Sequence, residues 1–261
     1  MKKGTLTWLL LVFFAFGCKG QTENTENISN PSQRKGPVGG GCDGCELMYV
    51  GIPKEINATD TSAGWYEEKV QKLLLTGTVF EPDGKTPAPN IILYYWHTDT
   101  EGYYAADTET DPKAKSHGRL RGWVKSDENG KYSIYTIRPA PYPNEDLPAH
   151  IHLSIKETDI KNEYYTDDVV FDDGPLLIPY MKKYPPENRA GSGIVRVLLK
   201  DNLQIAEHDI ILGLNIPIYP QKDVSNKKSG LNIGEDQPSF IPFHAFGPDK
   251  GSQACPVCKY G

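Results

Sequence analysis

Pro148-Ala149-His150-Ile151-His152-Leu153 is the stretch from which the rest of the chain is read. Side chains alternate faces along a strand, so His150 and His152 share one face while Ile151 and Leu153 share the other. An apolar face beside a polar one is the mark of a half-buried strand. Two imidazoles side by side are a ready pair of metal ligands, although the same spacing also serves two histidines satisfied by their neighbours.

Working outward, other short apolar segments rich in β-branched and aromatic residues read as strands: Leu73 to Phe80, Asn90 to Trp96, Lys131 to Ile137, His150 to Ile155, Gly193 to Leu199 and Ile205 to Leu212. Turn chemistry separates them, with Pro82-Asp83-Gly84 after the first and Asn129-Gly130 before the third. No segment keeps a helical period over three turns. The expected fold is all-β, a two-sheet sandwich with little helix.

The flanks have a different character. Lys2 and Lys3 precede the apolar run Leu9 to Phe14, and Ala15-Phe16-Gly17 leads to Cys18. That run is short of the roughly 20 apolar residues a spanning helix needs. Residues 1–18 therefore read as a signal peptide of lipoprotein type, with Cys18 as the lipidated residue. Residues 19–41 are polar and unpatterned, as a flexible tether would be. Residues 42–220 suit one domain, and 221–261 form a polar C-terminal extension. A formal charge of −6 argues against a nucleic-acid partner. A lipid anchor is the only membrane association expected.

Two more stretches add to the histidine pair. Ile134 to Pro143 runs a strand into a proline-stiffened loop that holds Tyr142 between Pro141 and Pro143, and Trp96 to Tyr104 ends a strand in a turn containing Gly102. Any one of the 15 tyrosines is by default a residue of the hydrophobic interior with its hydroxyl satisfied. Taken in order, however, Trp96, Gly102, Tyr104, Arg121-Gly122, Asp127, Gly130, Tyr132, Thr136-Ile137-Arg138-Pro139, Pro141-Tyr142-Pro143 and Pro148 to His152 resemble the intradiol ring-cleavage dioxygenases, the catechol and protocatechuate enzymes. The resemblance runs from about Leu75 to Phe171. It implies a β-sandwich with one Fe(III) held by Tyr104, Tyr142, His150 and His152. In that scheme Tyr104 stays bound, and Tyr142 lets go when substrate arrives and accepts its proton. The implied reaction opens a catecholic ring with O2 between its two hydroxyl-bearing carbons.

Two positions depart from the family pattern. Leu147 stands where the family has an arginine over the substrate ring, and the family's glutamine after the histidines corresponds to Asp167 or Asp168. Both changes bear on substrate and turnover rather than on the ligands, and leave open a catalytically weak module that binds iron or catechols. Arg121 and Arg138, though near the motifs, read as structural. His97, His117, His208 and His244 read as ordinary, and the pairs Asp167-Asp168 and Asp172-Asp173 as solvated. Cys42, Cys45, Cys255 and Cys258 form two C-x-x-C pairs. In an oxidising compartment these suggest disulfides, with a four-cysteine zinc site or a redox-active second pair as alternatives.

Overall fold

A computed structural model describes residues 36–42, 44–220 and 250–251. The chain divides into two units, Met1–Ile218 and Tyr219–Gly261, and all that follows concerns the first. Its first strands are β1 (Thr59–Thr61), β2 (Lys72–Phe80), β3 (Ile92–His97), β4 (Arg121–Lys125), β5 (Lys131–Ile137) and β6 (His150–Lys156). They are followed by β7 (Tyr164–Tyr165), β8 (Val169–Phe171), a short helix α1 (Leu177–Lys183), β9 (Ile194–Val195), β10 (Val197–Lys200), β11 (Leu203–Glu207) and β12 (Ile210–Ile211). One sheet runs β1-β5-β2-β11-β10 with β12 also on β2, and the other runs β4-β3-β6-β8-β9 with β7 also on β6. The expected two-sheet all-β architecture is what the chain adopts.

The sheets meet through the alternation of their strands. Leu73 and Leu75 on β2 stand opposite Thr136 and Ile134 on β5, and Leu93 and Tyr95 on β3 stand opposite Ile155 and Leu153 on β6. All of these are buried. Polar ties cross the same interior: His97 Nε2 lies 2.8 Å from Thr136 Oγ1, and Tyr95 donates its hydroxyl to Asp60 at 2.7 Å. Gly122 is required there, since a Cβ would stand 2.6 Å from the Tyr95 hydroxyl oxygen. β3 and β6 are buried on their outer face as well. Tyr94 and Trp96 cluster there with Met48, from the turn Cys45–Tyr49.

Two expected strands divide. Gly193 to Leu199 breaks at Arg196, so that β9 pairs with β8 in one sheet and β10 with β11 in the other. Ile205 to Leu212 breaks at His208-Asp209, where the Asp209 carboxylate accepts the Thr78 N–H at 2.8 Å in place of a ladder carbonyl. Gly77 permits this approach, because a Cβ would lie 1.9 Å from the His208 oxygen. The edge strands β1 and β4, the short β7 and β8, and α1 add to the strands expected from the sequence. The last residues of the expected tether are held to the domain. Val38 N–H donates to Asn162 at 3.1 Å and Gly39 N–H to the Pro217 carbonyl at 2.7 Å, stitching these residues to the sandwich. The signal segment and the C-terminal extension lie outside the described residues.

Candidate metal centre

β6 is the middle strand of its sheet, and His150 and His152 project from its outer face toward the loops covering it. Each imidazole is fixed through Nδ1. His150 Nδ1–H donates to the Pro148 carbonyl at 2.8 Å, and His152 Nδ1–H donates to the Asp168 carboxylate at 2.7 Å. A carbonyl or an ionised carboxylate can only accept, so both rings are left with an Nε2 lone pair aimed into the site. Trp96, opposite His152 in the ladder, stacks on it at 4.8 Å and carries His117 parallel to itself at 4.2 Å.

The tyrosines arrive on two loops. Tyr104 lies between β3 and β4, and Tyr142 between β5 and β6, where the chain crosses from one sheet to the other. Asp99 organises the first loop by accepting the N–H groups of Glu101 at 2.9 Å and Tyr103 at 3.0 Å on its carboxylate. The loops are then tied together, Thr98 hydroxyl to Ala140 carbonyl at 2.7 Å and Ala140 N–H to Asp99 carbonyl at 3.0 Å.

The four groups converge. Tyr104 Oη lies 2.5 Å from Tyr142 Oη and 2.8 Å from His152 Nε2. His150 Nε2 lies 3.1 Å from His152 Nε2 and 3.3 Å from Tyr142 Oη, and Tyr142 Oη lies 3.4 Å from His152 Nε2. Donors about 2.0–2.2 Å from one ion stand roughly 2.8–3.5 Å from each other. Four of the five separations fall in that range; the two phenols are as close as an O–H···O bond. Without a cation, burial is the main cause holding the Tyr104 phenol pKa far above its ordinary value, with the Tyr142 hydrogen bond adding to it. Burial likewise raises that of Tyr142. Burial also lowers the His150 pKa, keeping that ring neutral. Two imidazole Nε2 atoms and two phenols that ionise only against a strong positive charge suit a hard trivalent ion such as Fe(III).

Asp167 and Asp168 are not the solvated pair the sequence suggests, since both carboxylates accept hydrogen bonds. Burial works to raise the Asp168 pKa, but the His152 hydrogen bond and the two imidazoles outweigh it and hold the carboxyl below its ordinary value. Asp167 has a different partner, its carboxylate accepting the Asn188 N–H at 2.7 Å. Of the second acidic pair, Asp173 binds Arg138 at 2.6 Å. Asp172 accepts the Val197 N–H at 3.0 Å. His117 is also more than ordinary. It lines a cavity of about 660 Å³ shared with Tyr104, Tyr142 and His152, and its Nδ1 lies 2.9 Å from the Tyr94 hydroxyl. A ring stacked on a ligand's neighbour leaves no local spacing to read.

Both arginines are tied into the domain. Arg121 donates to the Leu47 carbonyl at 3.2 Å and to that of Val50, and Arg138 lies 3.7 Å over Phe171. His97 and His208 are buried, and burial lowers both to about 4. Cys42 and Cys45 form a disulfide with each other, while His244, Cys255 and Cys258 lie outside the described residues.

The family model described as Dioxygenase matches residues 51–183, just over half of the chain. Catechol 1,2-dioxygenase of Acinetobacter baylyi (strain ATCC 33305 / BD413 / ADP1) is 37% identical over 126 residues, covering 42% of this chain and 39% of that protein. The protocatechuate 3,4-dioxygenase beta chain of Burkholderia cepacia is 30% identical over 95 residues, 33% of this chain and 38% of that one. The chain thus aligns with well under half the length of either relative. Among solved structures, catechol 1,2-dioxygenase from Acinetobacter sp. ADP1 is 23% identical at a TM-score of 0.45, covering 62% of this chain and 58% of that one. From Tyr104 through His152 the matched segment contains all four converging residues, and the chain belongs to the intradiol ring-cleavage dioxygenase family.

Proposed function

We propose that this protein is a non-haem Fe(III) dioxygenase that cleaves a catechol-type ring between its two hydroxyl-bearing carbons. The observation that carries the reading is the convergence of Tyr104 Oη, Tyr142 Oη, His150 Nε2 and His152 Nε2 beside open cavities. What the metal supplies when bound is a hard Lewis-acid centre that activates a catecholate ring toward O2.

The protein's own residues do the rest. Tyr104, Tyr142, His150 and His152 would hold the ion, with the Pro148 carbonyl and Asp168 fixing the two rings in the required tautomer. Tyr142 sits on a loop rather than on the sheet, and its phenolic oxygen is placed to take the proton of an incoming catechol hydroxyl. In the net reaction one ring C–C bond breaks and both atoms of O2 enter the diacid product.

The test is iron content, visible spectrum and oxygen uptake on a catechol panel. About one iron per chain, a tyrosinate charge-transfer colour and stoichiometric O2 consumption are expected. A colourless zinc protein would sink the reading. Leu147 favours a second reading, a module that binds iron and catechols with little turnover, because the family's arginine is absent. Spectral perturbation by catechol without oxygen uptake would select it.

We also propose export to the cell envelope with lipidation at Cys18, from the charge and apolar pattern of residues 1–18. Cys18→Ala should release the protein from the membrane fraction, and a cytoplasmic wild-type protein would refute the proposal.

A further inference from the structure

His150 and His152 line a cavity of about 480 Å³. That volume lies among sites that enclose drug-sized ligands, roughly 300–1,000 Å³, and exceeds what a bare ring diol fills. Leu147, Val170, Leu177, Met181 and Ile194 contribute apolar side chains to its lining, with Val170 directly opposite His150 in the β6–β8 ladder.

Its charge is one-sided. Asp167, Asp168 and Glu187 all line it, against Arg189, the sole cation lining it among the described residues. Arg189 is already committed. It is 4% exposed, lies 3.7 Å over the Tyr165 ring and donates to the Gly39 carbonyl at 2.8 Å. Its Nε–H reaches the Tyr165 carbonyl at 3.4 Å. Leu147 then puts an isobutyl group where the family pattern has a guanidinium. An anionic group entering this space would meet three carboxylates, apolar side chains and the hydroxyl-bearing Tyr165, Thr166, Tyr180 and Tyr184, with no uncommitted cation among the described lining residues.

We propose that this cavity receives an uncharged apolar substituent on the catechol ring, so that the protein takes alkyl- or aryl-substituted catechols and discriminates against carboxylated ones. The assignment rests on the reading of the tyrosine–histidine cluster as the place where the ring binds. Each methylene buried there contributes about fourfold in affinity.

Monophenols, which are not cleaved, test it by calorimetry on the full-length protein with and without iron. 4-Butylphenol should bind at least tenfold more tightly than phenol, and 4-hydroxybenzoate more weakly than phenol. Met181→Lys should erase the butyl preference and strengthen 4-hydroxybenzoate. Met181→Ala, which adds no charge, should weaken 4-butylphenol severalfold and leave phenol unchanged, and serves if the lysine variant fails to fold. Equal binding of all three phenols by the native protein, or tightest binding of 4-hydroxybenzoate, overturns the assignment. Ring cleavage without a butyl preference also overturns it while sparing the dioxygenase reading. A butyl preference in a protein that cleaves no diphenol supports it and counts against that reading.

Discussion

Gly102 lies against the carbonyl of Pro141 so closely that a Cβ would stand 2.2 Å from the oxygen. Its φ of +87° belongs to the left-handed region as well. The β3–β4 loop and the β5–β6 crossover can therefore close on each other, and the Tyr104 and Tyr142 hydroxyls they carry stand 2.5 Å apart. The glycine of the motif serves the tyrosine–histidine cluster from a distance.

Gly102→Ala should accordingly cost at least about 1–2 kcal/mol for the left-handed backbone alone and push the tyrosine loops apart. Iron content should fall further than the loss of stability explains. Gly51→Ala is the control: φ is +73° there with nothing within 4 Å of the added carbon. It carries the backbone strain without the contact. Iron analysis and melting curves on both variants decide it, and full iron occupancy in Gly102→Ala would refute the link.

Asp168 gives the second expectation. Outer carboxylates on metal-bound histidines commonly matter by about 10–100-fold in metal affinity. Asp168→Asn should weaken iron binding by that order in a chelator competition, because the amide accepts the His152 N–H more weakly and removes a negative charge. Asp167→Asn should change it little, since Asp167 is turned toward Asn188. Equal losses from both substitutions would mean that local charge, not the His152 hydrogen bond, is what counts.

The relation between these residues also marks what a sequence can reveal. His150-Ile151-His152 is local, and alternation alone puts both rings on one face. Tyr104 and Tyr142 became readable through the ordered motifs around them. Asp168 did not, because its partner is chosen by the pairing of β6 with β8, which no periodicity announces. The break at Arg196 was hidden similarly: Gly193 to Leu199 is continuously apolar enough for one strand, yet its halves belong to different sheets. The cavity is assembled from segments as distant as Leu147 and Ile194, so its one-sided charge had no local signature.

Acid should destabilise the metal-free protein in a window set by buried histidines. Burial lowers His97 and His208 to about 4, against about 6.5 in an unfolded chain. Between those values the unfolded state binds more protons, so stability is complete above pH 6.5 and falls as pH drops toward 4. The slope is about 1.4 kcal/mol per pH unit for each such group. Urea unfolding from pH 7.5 to 4.5 measures it, and His208→Asn should make it shallower. A flat profile over that range would contradict the burial argument.

Leu147 bears on turnover. A positioned cation over the ring would stabilise negative charge as the substrate reacts, and the loss of one such stabiliser costs about 10²–10³ in rate. Leu147 lines the same cavity as His150 and His152, so Leu147→Arg returns a guanidinium to that space without touching a ligand. Turnover of plain catechol should rise by about tenfold or more at unchanged iron content. The gain should stop short of the full factor, because Asp167 and Glu187 also line the cavity and can draw the new side chain aside. Turnover of an alkylcatechol should rise less, since the arginine shortens the apolar wall that favours it. Steady-state oxygen uptake on the two substrates separates these effects. Fast cleavage of catechol by the native protein, lost on Leu147→Arg, would show that another group already does the arginine's work.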